Sequence, residues 1–333
     1  MLMERLKIAV IGDGGWGTAT AMLLSSYGHD VCVWGPFADY IDEIRSTRRN
    51  DRYLKGVELP ERIAWTADRM EAVAGADVVV LALASKYFAS VCESFRGMLP
   101  PDATVVSLTK GMCERTGARM SELAKSILSV RNIVVLSGPS HAEEVARGIP
   151  TTVVAACEND AAAARVQRIW SGPAFRVYTS SDPVGVEIGG AAKNVIAVAV
   201  GCSDGLGFGD NTRAAIITRG LAEISRFATA CGAKRETVSG LSGVGDLIVT
   251  CTSVHSRNRY VGERLGRGEK MDAILGSMQM VAEGVWNARA ICAIAKEKGV
   301  EMPITELVAK LCYEEFPVAD AISALMNRPV RDE

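Results

Sequence analysis

Six residues near the start, Gly12-Asp13-Gly14-Gly15-Trp16-Gly17, do more than any other feature to limit how this chain folds. They follow an apolar run at residues 6–11 (LKIAVI) and lead into residues 19–24, whose character is helical, so the chain opens strand, tight turn, helix. In that setting the first glycine, Gly12, permits the sharp turn, Gly14 lets backbone approach a pyrophosphate, and Gly17 lets the helix pack close to the strand. Backbone amides at the helix start then face the phosphates. The pattern alone is weak, but between a strand and a helix it points to a dinucleotide. The end of the second strand would normally tell NAD from NADP by an acid or an arginine. Here it reads Trp34-Gly35-Pro36-Phe37, with neither, although Asp39, Arg45 or Arg48 could reach the site from the following helix. NAD or NADP is expected, with the preference open.

Further apolar runs at 30–34, 77–83, 103–108, 132–136 and 151–156 alternate with helical spacing such as that of residues 121–128. Near-continuous Val, Ile and Leu in such runs predicts a parallel sheet covered on both faces. Near Pro183 the β-branched runs stop, and Ala- and Gly-rich helical segments follow at 184–200, 212–231, 260–267, 282–298 and 304–313. The expected fold class is therefore α/β. A Rossmann-type, doubly wound dinucleotide-binding domain spans 1–185, and an all-α substrate and catalytic domain spans 186–333, with a cleft between them.

Thirty-seven Lys and Arg nearly balance 39 Asp and Glu, a net charge of −2, so no broad basic face is available for nucleic acid or an anionic membrane. Any bound anion has to be held by a local site. The nine cysteines are dispersed, without C-x-x-C or zinc spacing, and no metal is expected. The opening residues lack a secretory pattern, and no stretch approaches the roughly 20 uninterrupted apolar residues of a membrane span. The expectation is a cytoplasmic protein with no membrane insertion and a small phosphate substrate as partner.

Five later segments sharpen this, Thr109-Lys110-Gly111, Ser137-Gly138-Pro139-Ser140-His141-Ala142, Ala192-Lys193-Asn194-Val195, Gly245-Asp246-Leu247 and Ser256-Arg257-Asn258, together with Gly14-Gly15-Trp16-Gly17-Thr18-Ala19 in the first turn. In order and spacing the chain resembles the NAD(P)-dependent glycerol-3-phosphate dehydrogenase family. The resemblance implies an oxidoreductase that interconverts dihydroxyacetone phosphate and sn-glycerol 3-phosphate, a homodimer supplying glycerol 3-phosphate for glycerophospholipid synthesis.

Read by itself, Lys193 has Gly189, Gly190, Ile196 and Ala197 as helical neighbours, which predicts burial and a pKa lowered toward the range of proton transfer. The resemblance makes it the general acid and base. Asp246, in a glycine-containing loop, suits a helix cap or a substrate contact; a carboxylate beside Lys193 would hold the ammonium in place. Ser256, Arg257 and Asn258 introduce the helix expected at 260–267, good chemistry for a phosphate monoester. By resemblance all three hold substrate, and Arg257 also meets the coenzyme. Lys110, at the carboxyl end of a strand, is implied to touch both coenzyme and substrate, Gly138 and Ser140 substrate, and Ala142, Val281 and Glu283 coenzyme, alongside Gly12, Gly14, Gly15, Trp16 and Gly17. The family often has Ser where Gly15 stands. His141 reads as a packing or coenzyme contact. The competing readings are a β-hydroxyacid or phosphogluconate-type dehydrogenase, which would share the fold and a Lys-Asn pair, and a non-catalytic NAD(P)-binding sensor.

Overall fold

The computed structural model describes residues 4–314, 316–318 and 320–321; the end of the helical domain expected to 333 lies outside the described residues. The strands are β1 (Lys7–Ile11), β2 (Asp30–Trp34), β3 (Arg49–Asn50), β4 (Leu54–Glu58), β5 (Ala64–Thr66), β6 (Val78–Leu81), β7 (Thr104–Ser107), β8 (Ile133–Ser137), β9 (Thr151–Ala156) and β10 (Phe175–Ser180). Among the described residues eight of them form one sheet in the order β10-β9-β8-β7-β6-β1-β2-β5, while β3 and β4 pair separately. Their apolar runs are explained by position: Val10, Val33, Val80, Val106 and Val134 are all buried in one core. From β1 the chain winds outward through β2 to β5, then returns to the other side of β1 as β6. That reversal is where doubly wound sheets bind ligands, outside the carboxyl ends of the strands.

The expectation of a wholly parallel sheet needs correction. β9 and β10 run parallel to each other, but β9 is antiparallel to β8. The link between β8 and β9 carries only the helix Ala142–Val145. Four helical residues rise about 6 Å, far less than the roughly 17 Å of a five-residue strand, so no helical crossover returns the chain to the start of the sheet. β5 and β10 escaped the sequence reading, β5 because it is three residues long and β10 because Arg176 and Tyr178 alternate outward along an edge.

By compactness the chain divides into one unit of Met1–Lys110 with Ala118–Glu187, and a second of Gly111–Gly117 with Ile188–Glu333. The short segment differs from a single boundary near 185. It belongs with the second unit because Met112 N donates to Asn287 Oδ1 (3.2 Å), Arg289 pairs with Glu114 (3.3 Å), and Gly117 lies against Ile294.

The second unit is helical, and its longest helix, Pro183–Gly205, begins in the first unit. By length and composition alone this helix is long and apolar enough to cross a membrane, although Glu187 and Lys193 interrupt its apolar run. Its most apolar window is 89% buried inside the protein, which makes it a core helix. The helix Arg257–Gly266 crosses it closely: a Cβ on Gly201 would overlap the Arg259 carbonyl oxygen, one on Gly205 that of Glu263, one on Gly262 that of Val198, and one on Gly266 that of Cys202. Glycine on both helices removes the side chains that would hold them apart.

A buried acid, Glu223, anchors another helix of this unit, Pro303–Tyr313, by accepting from Ile304 N (2.7 Å), Thr305 N (3.2 Å) and Thr305 Oγ1 (3.1 Å). Burial outweighs these donors and pushes its carboxyl up to about 7. The folded chain therefore holds a proton that the unfolded chain has lost between about pH 4.5 and 7, so stability falls as pH rises through that window. In urea titrations the wild type is expected to lose stability relative to Glu223→Gln over the same window. A difference that stays flat with pH would show that Glu223 charges without penalty.

Candidate active site

The first group of site residues gathers at the sheet's switch point. Gly12 has φ +119°, and a Cβ there would overlap the carbonyl oxygen of Ala82, just past β6; a Cβ on Gly17 would overlap Gly12's own carbonyl oxygen. Protein atoms thus forbid a side chain at the first and third motif glycines. Gly14 is different: a Cβ there would meet nothing within 4 Å. Protein packing leaves that position open, which is the room a pyrophosphate needs to approach backbone. The helix Gly15–Ser26 that follows has no side-chain cap at its start, leaving its first amides to an anion. The turn is clamped from below. Asp13 O accepts from Asn50 Nδ2 (2.7 Å) and Thr18 Oγ1 (3.3 Å), and Asn50 Oδ1 accepts from Tyr40 OH (2.6 Å). These residues fit a dinucleotide. Trp16 packs half-buried against the core beside them.

Gly15 carries a constraint the sequence did not show. A Cβ there would lie 2.6 Å from Tyr53 O and 3.7 Å from Ala142 Cβ. A serine at this point would have to displace the backbone of the β3–β4 turn, and Ala142 is brought directly against the glycine turn. Lys110 Nζ donates to Gly138 O (2.9 Å), and Ser140 Oγ donates to the same oxygen (2.9 Å). Gly138 is held at φ +148° with Val153 Cα 2.9 Å from where a Cβ would stand. Gly12, Lys110 and Gly138 therefore all sit at the carboxyl ends of strands on the β8-β7-β6-β1 side of the sheet. Of the candidates for coenzyme choice, Arg45 donates to Trp65 O (2.7 Å) and Arg48 to Ile63 O (3.4 Å), while Asp39 is exposed.

The second group lies in the helical unit. Lys193, 5% exposed, donates to Asp246 Oδ1 (2.7 Å) and to Thr250 Oγ1 (2.6 Å). Asp246 is 1% exposed and Thr250 is buried with it. Asp246 does not stand in a loop, as the sequence reading had it. Residues Leu241–Gly245 form a π-helical turn, and Asp246 opens the helix Asp246–Thr252. A Cβ on Gly189 would lie 2.8 Å from Ser242 O, so small residues let this turn press on the Pro183–Gly205 helix. Lys193 is four residues after Gly189 and Asp246 four after Ser242, which sets the two side chains on the facing surfaces one turn further on. Thr250, a further four residues along, was missed; its only signal was that i, i+4 spacing.

Ser256 caps the helix Arg257–Gly266, its Oγ accepting from Arg259 N (3.2 Å), so this helix begins three residues earlier than expected. Arg257 is exposed in its first turn. Asn258 is buried: its Nδ2 donates to Asn194 Oδ1 (2.9 Å) and its Oδ1 accepts from Gly284 N (2.8 Å). Asn258 thereby ties the residue after Lys193 to the start of the helix Glu283–Glu297, where half-buried Val281 and Glu283 are placed. Its amide oxygen is committed to this link. Asn194, the other member of the tie, lies in the Ala192–Val195 segment, and its sequence neighbours give no sign of its distant partner.

The family description NAD-dependent glycerol-3-phosphate dehydrogenase N-terminus matches residues 7–163, and its C-terminus counterpart matches residues 182–323. The chain belongs to the NAD-dependent glycerol-3-phosphate dehydrogenase family. It is 49% identical to the glycerol-3-phosphate dehydrogenase (NAD(P)+) of Geobacter metallireducens over 98% of each chain. It is 47% identical to that of Chlorobium limicola over 98% of this chain and 99% of the other. The crystal structure of glycerol-3-phosphate dehydrogenase from Coxiella burnetii superposes with a TM-score of 0.94 at 34% identity, covering 97% of this chain and 99% of that one. A family match across both halves does not favour the β-hydroxyacid or sensor alternatives. The nine cysteines are free thiols, and among the described residues no group of three or more His, Cys, Asp or Glu is arranged to hold a metal ion.

Proposed function

We propose that this chain is a glycerol-3-phosphate dehydrogenase that interconverts dihydroxyacetone phosphate and sn-glycerol 3-phosphate with NAD(H) or NADP(H), Lys193 acting as general acid and base. The observation that carries the reading is the buried trio Lys193, Asp246 and Thr250. A buried ion pair adds little to stability over apolar packing, so its presence argues for chemistry.

The reduced nicotinamide, when bound, supplies the hydride for the ketone carbon. Lys193 donates a proton from Nζ to the ketone oxygen as negative charge develops there, and recovers one from the hydroxyl in the reverse direction. Asp246 holds and aims the ammonium, and Thr250 Oγ1 fixes its second direction. Arg257 and capped Ser256, at the positive end of their helix, receive the substrate phosphate. Lys110 adds a positive charge at the strand ends. Gly12, Gly14, Gly15, Trp16, Gly17 and Ala142 hold the coenzyme. The reading includes a cytoplasmic homodimer that supplies glycerol 3-phosphate for glycerophospholipids, and the nine free thiols fit a reducing compartment.

The test is loss of reduced-nicotinamide absorbance with purified protein, comparing dihydroxyacetone phosphate with unphosphorylated dihydroxyacetone. Oxidation strictly dependent on the phosphorylated ketone is expected. Turnover of a hydroxy or keto acid in its place, or binding of coenzyme without oxidation, would overturn the assignment.

A further inference from the structure

Past the end of β2, where an acid commonly meets the adenosine ribose, this chain has Gly35 and then Pro36 and Phe37. The space beside Gly35 is nevertheless taken by a carboxyl group. A Cβ on Gly35 would lie 2.7 Å from both Cγ and Oδ2 of Asp13, the second residue of the glycine turn. Asp13 thus brings an acid, from the turn after β1, to the place where a side chain from the end of β2 would stand. It is only 7% exposed, and its Oδ2 makes no hydrogen bond within the protein. The backbone amide of Asp13 itself supports the carboxyl, but a buried carboxylate oxygen left without a donor is costly, and a ligand hydroxyl at Oδ2 removes that cost.

The surroundings point the same way. The backbone of Asp13 is held through its carbonyl by Asn50 and Thr18, so the residue is anchored in the turn. Arg45 and Arg48, the cations from which a 2′-phosphate would draw its counter-charge, donate to the carbonyls of Trp65 and Ile63. Arg52, whose charge acts on Asp13, is stacked 4.0 Å over the ring of Tyr40.

We propose that Asp13 selects the coenzyme: its carboxylate accepts from the ribose hydroxyls of the adenosine half and so favours NAD(H) over the 2′-phosphorylated form. This rests on the reading that the glycine turn holds a nicotinamide dinucleotide. An unmodified ribose presents a donor to the carboxylate, whereas a 2′-phosphate sets a second anion against it. Burial raises the Asp13 carboxyl to about 6, which leaves it mostly ionised at neutral pH.

The experiment measures dissociation constants of NADH and of NADPH separately, by calorimetry on the full-length protein, for wild type, Asp13→Asn and the double variant Asp13→Ala/Gly35→Asp. Thermal melting of each variant controls for folding. Wild type is expected to bind NADH more tightly, and Asp13→Asn to narrow that preference by about tenfold or more, chiefly by weakening NADH, because a hydrogen bond to a charged acceptor is lost. The double variant, which moves the acid to the end of β2, is expected to regain part of the preference; a structural role for Asp13 would not produce that rescue. Equal affinity of wild type for both coenzymes, or an equal weakening of both by Asp13→Asn, overturns the proposal while leaving the dinucleotide site intact. If wild type binds neither, the proposal falls together with the reading of the turn.

Discussion

With Lys193 replaced by alanine, kcat for reduction of dihydroxyacetone phosphate falls by about a thousandfold or more, the scale of losing a general acid that also stabilises the developing alkoxide. Coenzyme affinity stays nearly unchanged, because the glycine turn is built from contacts of its own with Asn50, Thr18 and Ala82. The same substitution strips a buried carboxylate of its partner, since Asp246 is almost wholly enclosed. Breaking such a pair from one side costs about 3–5 kcal/mol of stability. Loss of activity therefore has to be separated from loss of fold. The double variant Lys193→Met/Asp246→Asn leaves no unpaired charge and is expected to recover most of the stability in urea titrations with no recovery of kcat. If kcat returns along with stability, Lys193 holds the fold and does not carry the proton.

Gly262→Ala is expected to destabilise the helical unit by about 3 kcal/mol, at or above the upper end of ordinary overpacking. The added methyl would overlap Val198 O and approach Cys202 N to 2.8 Å, both backbone atoms of the Pro183–Gly205 helix. A flexible side chain can swing away from a new methyl; a helix backbone hydrogen-bonded along its length cannot. Gly276→Ala is the control, because a Cβ there meets nothing within 4 Å, and it should shift the urea midpoint little. Equal effects of the two substitutions would mean that the helices can part without loss. Where the Gly262 variant still folds, kcat should also drop, because Asn258 rides on the displaced helix and is hydrogen-bonded to the neighbour of Lys193.

How far the sequence could be read depended on whether the physical constraint was local. The strand–turn–helix at residues 6–24 was legible because neighbouring residues dictate it: Gly17 is small on account of Gly12's own carbonyl oxygen, and the turn holds Gly12 at φ +119°, a conformation that favours glycine. The helical neighbours of Lys193 announced an apolar face for the same reason, since positions three and four apart share a surface whatever the rest of the chain does. The change from β-branched runs to Ala- and Gly-rich helices marked the two textures of the fold.

Constraints that join distant segments left no such trace. The sequence around Asp246 suited a helix cap but did not show the π-helical turn before it, nor that Thr250 completes the contact with Lys193, because both depend on how closely Gly189 admits Ser242. The reversed direction of β9 followed from a helix too short for a crossover. Asp13 looked like an incidental residue between two glycines, and it became a candidate for coenzyme choice only when the end of β2 was folded against it. The sequence by itself determined the dinucleotide turn, the α/β-then-α order and the family, because these are written in short-range periodicity and in motifs whose spacing is local. Tertiary structure alone decided which polar groups meet, since burial and hydrogen bonding between separate segments are set by packing.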